Sequence, residues 1–163
     1  MRLDVYHTSD YYEVREMLQN HINYAPEYAG TESNTDDIRF FEENYFSDGD
    51  RSSAYVLIDN NQQIVSFMTC EKNASSVQPY WYITNLFVRH GADEENIARK
   101  TVELFRIKIS ENASLCINVH PVYKELLDFW QQAKYQISTT QTVFLNADNE
   151  CLVALSYSGK IQT

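Results

Sequence analysis

Residues 93–99 combine carboxylates with the backbone amides of a predicted helix start, and this pattern could either bind an anion or cap its own helix. Trp81–Val88 is rich in β-branched and aromatic residues and predicts a largely buried strand, and apolar residues recur at helical spacing over 97–109. A strand that runs directly into a helix leaves unpaired N–H groups at the helix start, and these can hold an anion such as pyrophosphate. The carboxylates of residues 93–95 could instead satisfy the helix dipole without a ligand. These residues leave both interpretations open.

The composition predicts one globular domain, residues 1–163, with a genuine hydrophobic core. The chain has 163 residues, of which 44% are hydrophobic and 13% aromatic, and this length suits a single domain. Its formal net charge of −10 repels nucleic acids and anionic membranes, so we expect no nucleic-acid or membrane partner. The same charge would attract an amine or a basic peptide, although an acidic surface is more often only a solubility device.

The sequence contains no pattern that predicts a metal site, a disulfide or an export signal. The three cysteines, Cys70, Cys116 and Cys151, are widely spaced, which favours free thiols over a disulfide framework or a zinc site. The N-terminus lacks the apolar core of a signal peptide, and no apolar run approaches the ~18 residues of a membrane span. We therefore expect a cytoplasmic protein without a metal.

Seven strands and four helices are predicted, and their order indicates a mixed α/β (α+β) fold of packed layers. Strands are predicted where β-branched and aromatic residues cluster or alternate, and helices where apolar residues repeat at intervals of three and four. Polar turns at 59–62 and 146–150 indicate β-hairpins. The predicted strands are 3–7, 54–58, 63–70, 81–88, 115–119, 139–145 and 151–157, and the predicted helices are 10–22, 35–46, 97–109 and 123–130.

The element order and three segments resemble the GNAT superfamily of acyl-CoA-dependent N-acyltransferases. The segments are ITNLFV, IARKTVELF and LDFWQQAKYQIS. Leu86 and Val88 match the Leu-x-Val signature at the end of the family's central strand. Counting on without a gap places the family's pyrophosphate loop on residues 93–98, where Asp93 stands for a basic or amide residue and Asn96 for the first glycine.

The resemblance implies a mostly antiparallel seven-stranded sheet with about four helices, opened between its fourth and fifth strands to hold acyl-CoA. It implies acetyl-CoA as the donor and an amine on a small molecule or peptide as the acceptor, and it is compatible with a homodimer. The carboxylates of residues 93–95 would weaken donor binding if they turn toward the pyrophosphate. The implied cofactor-binding residues are Leu86, Phe87, Val88, Asn96, Ile97, Ala98, Arg99 and Trp130.

In the family's last motif a tyrosine hydroxyl is suited to protonate the leaving CoA thiolate, and here Trp130 stands at that position. An indole N–H donates a hydrogen bond but cannot act as an acid near neutral pH. The resemblance then offers three catalytic candidates: Tyr123 on the same helix face, His120 at the mouth of the gap, and Glu71 as a general base. The structural alternatives are a rim aromatic, a loop histidine and a solvated glutamate. Residues 24–32 would wall the acceptor pocket, or they are an ordinary surface loop.

Two functions remain open at this point. The first is an N-acyltransferase that transfers an acetyl group from acetyl-CoA to an amine by direct attack. The second is a degenerate GNAT-like domain that binds or regulates without catalysis, because residues that would carry the chemistry are substituted. The choice of the enzyme rests on the analogy with the family.

Overall fold

The computed structural model describes residues 1–24, 28–29, 52–73, 80–91, 93–109, 114–119, 121, 123–137, 144–145 and 151–157. The strands are β1 (Arg2–Val5), β2 (Ser52–Ile58), β3 (Ile64–Asn73), β4 (Tyr80–Val88), β5 (Ser114–Val119), β6 (Tyr135–Ile137), β7 (Phe144–Leu145) and β8 (Cys151–Tyr157). The helices are α1 (Tyr11–Tyr24), α2 (Glu94–Lys108) and α3 (Lys124–Gln132), and a short 3₁₀ turn, Thr8–Asp10, precedes α1. Within these ranges, no helix is long and apolar enough to cross a membrane.

The strands form one mixed sheet in the order β1-β2-β3-β4-β5-β8-β6, and β7 pairs with β8 outside this order. The pairing is antiparallel except between β4 and β5, which run parallel. Parallel neighbours need a crossover connection, and α2 lies in the chain between these two strands. The prediction of a mixed α/β fold built on a mostly antiparallel sheet is therefore confirmed.

The predicted and observed elements differ mainly in the C-terminal third of the chain. The sequence pattern does not predict β6, because three residues are too few to show an alternation. Of the strand predicted at 139–145, the structure describes only Phe144–Leu145, which pairs with β8 as the predicted hairpin requires. The helix predicted at 35–46 lies outside the described residues.

α2 and α3 cover one face of the sheet. Their apolar residues recur at helical spacing, so each helix turns one stripe toward the strands. These side chains pack against Met68 of β3 and against Ile83, Leu86 and Val88 of β4 in one core cluster. The helical members of this cluster are Ile97, Ala98, Val102 and Phe105 from α2 and Phe129 and Trp130 from α3.

α1 covers the opposite face of the sheet. Its buried side chains are Val14, Met17 and Leu18. They pack in a second cluster with Phe67 of β3 and Phe87 of β4. Glu13 accepts a hydrogen bond from the backbone N–H of Ile64 at 2.9 Å, so α1 is tied to the start of β3 by a polar contact as well as by packing.

Two buried hydroxyls join α2 to β3. The Thr101 hydroxyl donates to the carbonyl of Ile97, one turn earlier in the helix, at 2.7 Å. Since its hydrogen is used there, the Ser66 hydroxyl is the donor in the 2.6 Å contact between Ser66 and Thr101. Both side chains are fully buried, and the chain of two bonds fixes the N-terminal half of α2 against the sheet.

Candidate functional site

β4 and β5 part halfway along their length. They pair from Tyr80 with Ser114 to Ile83 with Ile117, but β4 continues to Val88 without further pairing to β5. Beyond this point β5 remains paired to β8 on its other side. The sheet therefore opens into a gap between the fourth and fifth strands, as predicted.

A β-bulge lies in β4 where the gap begins. Thr69 of β3 is opposite Asn85 while Cys70 is opposite Ile83, so Thr84 is an extra residue in β4. An extra residue reverses the alternation of side chains along a strand. Consistent with this, Ile83 and Leu86 belong to the same core cluster under α2 and α3.

The backbone of Leu86 is bonded to a segment from the N-terminal part of the chain. Its N–H donates to the carbonyl of Ala29 at 3.1 Å, and its carbonyl accepts from the N–H of Tyr28 at 3.0 Å. These two bonds form an isolated antiparallel bridge. Because β3 occupies the other side of β4, the bonded edge of Leu86 is the one that faces the gap. The segment Tyr28–Ala29 thus lies along the gap edge of β4.

Trp130 holds the same segment from α3. Its Nε1 donates to the carbonyl of Tyr28 at 2.8 Å, and the Tyr28 ring packs edge-on against Phe129 with centroids 5.5 Å apart. Trp130 is fully buried, and Ala29 is 1% exposed. The indole N–H of Trp130, which the sequence identifies as a hydrogen-bond donor, is therefore already bonded inside the protein. Its acceptor belongs to a segment whose position the sequence does not predict.

The start of α2 is an acidic helix N-terminus. Asp93 precedes the helix in the left-handed region, with φ 75°, and its carboxylate accepts a hydrogen bond from the Asn96 side chain at 2.6 Å. The N–H of Ile97 donates to the carbonyl of Asp93 at 3.1 Å, so this amide is used inside the helix. Ile97 and Ala98 are buried, whereas Asn96 and Arg99 are exposed.

The carboxylates of the first helical turn act on the gap. Glu94 is partly buried and lies 3.4 Å from His90 Nδ1, and Glu95 lies 3.7 Å from the guanidinium of Arg99. Burial, followed by the negative charges of Glu94 and Glu95, raises the pKa of Tyr28 to about 12. Because Tyr28 lies along β4, these charges reach the segment in the gap.

Polar side chains line the face of β3 and β4 that is turned away from α2 and α3. The Tyr82 hydroxyl donates to the carboxylate of Glu71, directly across the two strands. The Thr69 hydroxyl donates to Asn85 Oδ1 at 3.0 Å. The hydroxyl oxygens of Thr69 and Thr84 are hydrogen-bonded at 2.6 Å. Glu71 and Tyr82 are partly buried. Glu71 lies three residues along β3 from Met68, the partner of Leu86, so the Glu71 position is about 10 Å along the sheet from the Leu86 amide.

Of the other two catalytic candidates, the structure describes Tyr123. Tyr123 immediately precedes the helix and is partly buried, and its carbonyl accepts the Leu127 N–H at 3.1 Å. His120 lies outside the described residues. The roles predicted for Tyr123, His120 and Glu71, and those for the residues of β4 and α2, stay predictions.

The structure adds one side chain that the sequence analysis missed. Asn118 of β5 is 3% exposed, and its Oδ1 accepts no hydrogen bond within the described part of the chain. It follows Ile117, the last residue of β5 that pairs with β4, so it stands at the opening of the gap. An amide in the apolar run LCINV is the signal that could have identified it, because a buried polar group is costly unless it has a partner.

This chain resembles known proteins in its fold but not detectably in its sequence. No family model matches it, and no curated protein sequence matches it significantly. The ribosomal-protein-S18-alanine N-acetyltransferase from Escherichia coli is similar in structure, with a TM-score of 0.63 and 12% identity over 95% of this chain and 91% of that one. NAA60 from Arabidopsis thaliana, in complex with acetyl-CoA, has a TM-score of 0.62 and 13% identity over 95% and 96%.

A third solved structure carries the family name itself. An acetyltransferase of the GNAT family from Staphylococcus aureus has a TM-score of 0.60 and 14% identity over 95% of this chain and 98% of that one. Identities this low establish a shared fold and not a shared activity. The resemblance seen in the sequence is confirmed at that level: the chain has the fold of the GNAT acetyltransferases.

Proposed function

We propose that this chain is an N-acyltransferase that transfers an acetyl group from acetyl-CoA to an amine. The observation that carries the proposal is the parting of β4 and β5, with the N–H and carbonyl of Leu86 on the edge that faces the gap. The similar structures are N-acetyltransferases, and one of them holds acetyl-CoA, which supports the same donor here. We also propose that the acceptor is a small-molecule or peptide amine.

The gap edge of β4 has the chemistry to bind the donor's pantetheine arm. That arm carries amide N–H groups, and the bond from the Tyr28 N–H demonstrates that the Leu86 carbonyl accepts from an amide placed in the gap. The start of α2 does not suit a pyrophosphate equally well. Glu94 and Glu95 are negative, and the amide of Ile97 is already bonded to Asp93. We therefore expect acetyl-CoA to bind, but weakly.

The backbone of β4 would activate the thioester. When the Leu86 N–H is not bonded to Ala29, it is a donor aimed into the gap, where it can polarise a carbonyl. The amine nitrogen then attacks the carbonyl carbon: a C–N bond forms, the C–S bond breaks, the nitrogen loses a proton and the thiolate gains one. Positioning of the two reactants is the protein's main contribution to such a reaction.

Glu71 is the proposed base that takes the proton from the amine. It is partly buried, and the Tyr82 hydroxyl fixes the orientation of its carboxylate. Because it lies about 10 Å along the sheet from the Leu86 amide, the proton would travel through water. Tyr123 and His120 stay the candidates for the acid that protonates the thiolate, and Trp130 is excluded by the chemistry of its indole.

A non-catalytic binding module is the second candidate function. It is favoured by two observations: the Leu86 edge and the Trp130 donor are both used inside the protein, and two carboxylates, Glu94 and Glu95, act on the segment in the gap. A domain of this kind would keep the fold and its surfaces but would not turn over a thioester.

Calorimetric titration with acetyl-CoA, together with thiol release and mass spectrometry of candidate amines, tests the proposal. The amines should include a peptide with an N-terminal alanine, a polyamine and an amino sugar. We expect measurable binding and an acetylated product, and Glu71→Gln should lower turnover at least tenfold with unchanged donor affinity. Glu103→Gln, on the exposed side of α2, is the matched control. Binding without any product would favour the non-catalytic module, and no binding in the parent or in the Trp130→Phe and Tyr28→Ala variants described below would refute the proposal.

A further inference from the structure

Three hydrogen bonds hold Tyr28–Ala29 in the gap between β4 and β5. Two of them run to the backbone of Leu86, at 3.0 and 3.1 Å, and the third comes from Trp130 Nε1, at 2.8 Å. Ala29, Leu86 and Trp130 are each no more than 1% exposed. Breaking these bonds without a replacement would leave buried donors and acceptors unsatisfied, which carries a free-energy cost for each group.

This contact and an acyl donor cannot occupy the gap edge of Leu86 at the same time. Leu86 has one N–H, and this N–H cannot point both at the Ala29 carbonyl and at the carbonyl of a thioester. Trp130 likewise has a single donor, and that donor is on Tyr28. Any ligand that uses the gap edge of Leu86 must therefore break the bridge to Tyr28–Ala29 first.

The bridge is also built so that it can be exchanged. Among the described residues, one pair of backbone bonds joins Tyr28–Ala29 to β4. Tyr28 is only partly buried. A ligand that reproduces the two bonds to Leu86 and adds contacts of its own can compete with it.

We propose that Tyr28–Ala29 is an internal competitor for the donor site, which occupies the gap edge of Leu86 in the ligand-free protein and is anchored there by Trp130. The proposal rests on the proposed function, because it takes the competing ligand to be an acyl-CoA. Trp130 is then a positioning residue that sets donor affinity through Tyr28. It does not touch the reacting atoms.

Amide hydrogen exchange and acetyl-CoA calorimetry on four proteins test this inference: the parent, Trp130→Phe, Tyr28→Ala and Trp81→Phe. Trp130→Phe removes the Nε1 donor, and Tyr28→Ala removes the ring that packs on Phe129. Trp81→Phe is the matched control, because Trp81 lies in the paired part of β4 and packs on Phe105 at 5.8 Å. Tyr28→Ala leaves α3 intact, so it serves even if Trp130→Phe destabilises the fold.

We expect Trp130→Phe and Tyr28→Ala to bind acetyl-CoA about three- to tenfold more tightly than the parent, the equivalent of one lost hydrogen bond or ring contact. Trp81→Phe should bind as the parent does. In the parent, saturation with acetyl-CoA should speed exchange of the Tyr28 amide at least tenfold while the Leu86 amide stays protected, because only Leu86 gains a new partner.

The possible results separate the inference from the proposed function. If the parent binds acetyl-CoA, neither variant binds it more tightly and the Tyr28 amide keeps its protection in the complex, the inference is wrong and the proposed function stands. If no protein of the four binds acetyl-CoA, the proposed function fails and the competition fails with it.

Discussion

Neutralising Glu94 should strengthen acetyl-CoA binding. Glu94 directly follows Asp93 and is the first residue of α2. Its side chain is 26% exposed, and its charge acts on Tyr28 in the gap. Glu94→Gln keeps the size of the side chain and removes only the charge. The change therefore isolates the electrostatic cost of a carboxylate beside a bound pyrophosphate.

The size of the effect follows from Coulomb's law with screening. At an assumed separation of about 8 Å and an effective dielectric of ~20, two unit charges repel by roughly 2 kcal/mol. A Debye length of ~8 Å at 0.15 M salt reduces this to about 0.8 kcal/mol. A pyrophosphate with about two charges then gives about 1.5 kcal/mol, or roughly tenfold in Kd. At 1 M salt the Debye length is ~3 Å, and less than about twofold should remain.

Calorimetry at both salt concentrations measures the effect, with Glu103→Gln as the control. Glu103 lies on the same helix, nine residues further on, which is about 13 Å along the axis. Its neutralisation should change Kd by less than about twofold. Equal Kd values for the two variants at 0.15 M salt would mean that the Glu94 carboxylate does not face the phosphates, and the electrostatic argument would then be wrong. The melting temperature of Glu94→Gln should be measured as well, because loss of an acidic residue from the first turn costs about 0.3–1 kcal/mol of helix stability.

Three further predictions concern other parts of the molecule. The pKa of Tyr28 is about 12 in the folded protein and about 10 in an unfolded chain. The unfolded chain therefore loses this proton first, and the free energy of unfolding should fall as the pH rises from about 10 to about 12. Urea midpoints at pH 9 and 11 measure the fall, which should be smaller in Tyr28→Phe. Phe105→Ala should cost about 3–5 kcal/mol in urea denaturation because Phe105 is fully buried, whereas Ile107→Ala, at an exposed position of the same helix, should cost less than about 0.5 kcal/mol. Tyr123→Phe should change turnover on an amine by less than about tenfold, and a larger loss with the fold intact would identify Tyr123 as the acid.

The strands and helices with long periodic patterns could be predicted from the sequence. The predicted strand 81–88 matches β4 (Tyr80–Val88), and the predicted helix 97–109 overlaps most of α2 (Glu94–Lys108). Both have buried stripes that repeat with a clear period. The boundaries are less certain because caps obey local rules: the first turn of α2 holds Glu94 and Glu95 rather than apolar residues, so the apolar period does not include it.

The site depends on contacts that no local pattern encodes. The bulge at Thr84 shifts the register of β4 against β3, although nothing in the string ITNLFV marks an extra residue. The bridge from Ala29 to Leu86 joins segments 57 positions apart in the numbering, and two hydrogen bonds leave no trace in composition. The direction of the Glu94 side chain is likewise a tertiary property. The family resemblance predicted the gap, and only the structure shows what lies in it.

The hydrogen bond between Ser66 and Thr101 couples substitutions at two positions that are 35 residues apart in the chain. Thr101→Val keeps the shape but leaves the buried Ser66 hydroxyl without its acceptor, and a group stranded in this way costs about 1–3 kcal/mol. Changing both to apolar residues of similar size removes the donor and the acceptor together, and this can be nearly neutral. Serine and threonine should therefore be inherited as a pair among relatives of this chain, and lineages that have lost one should have lost the other.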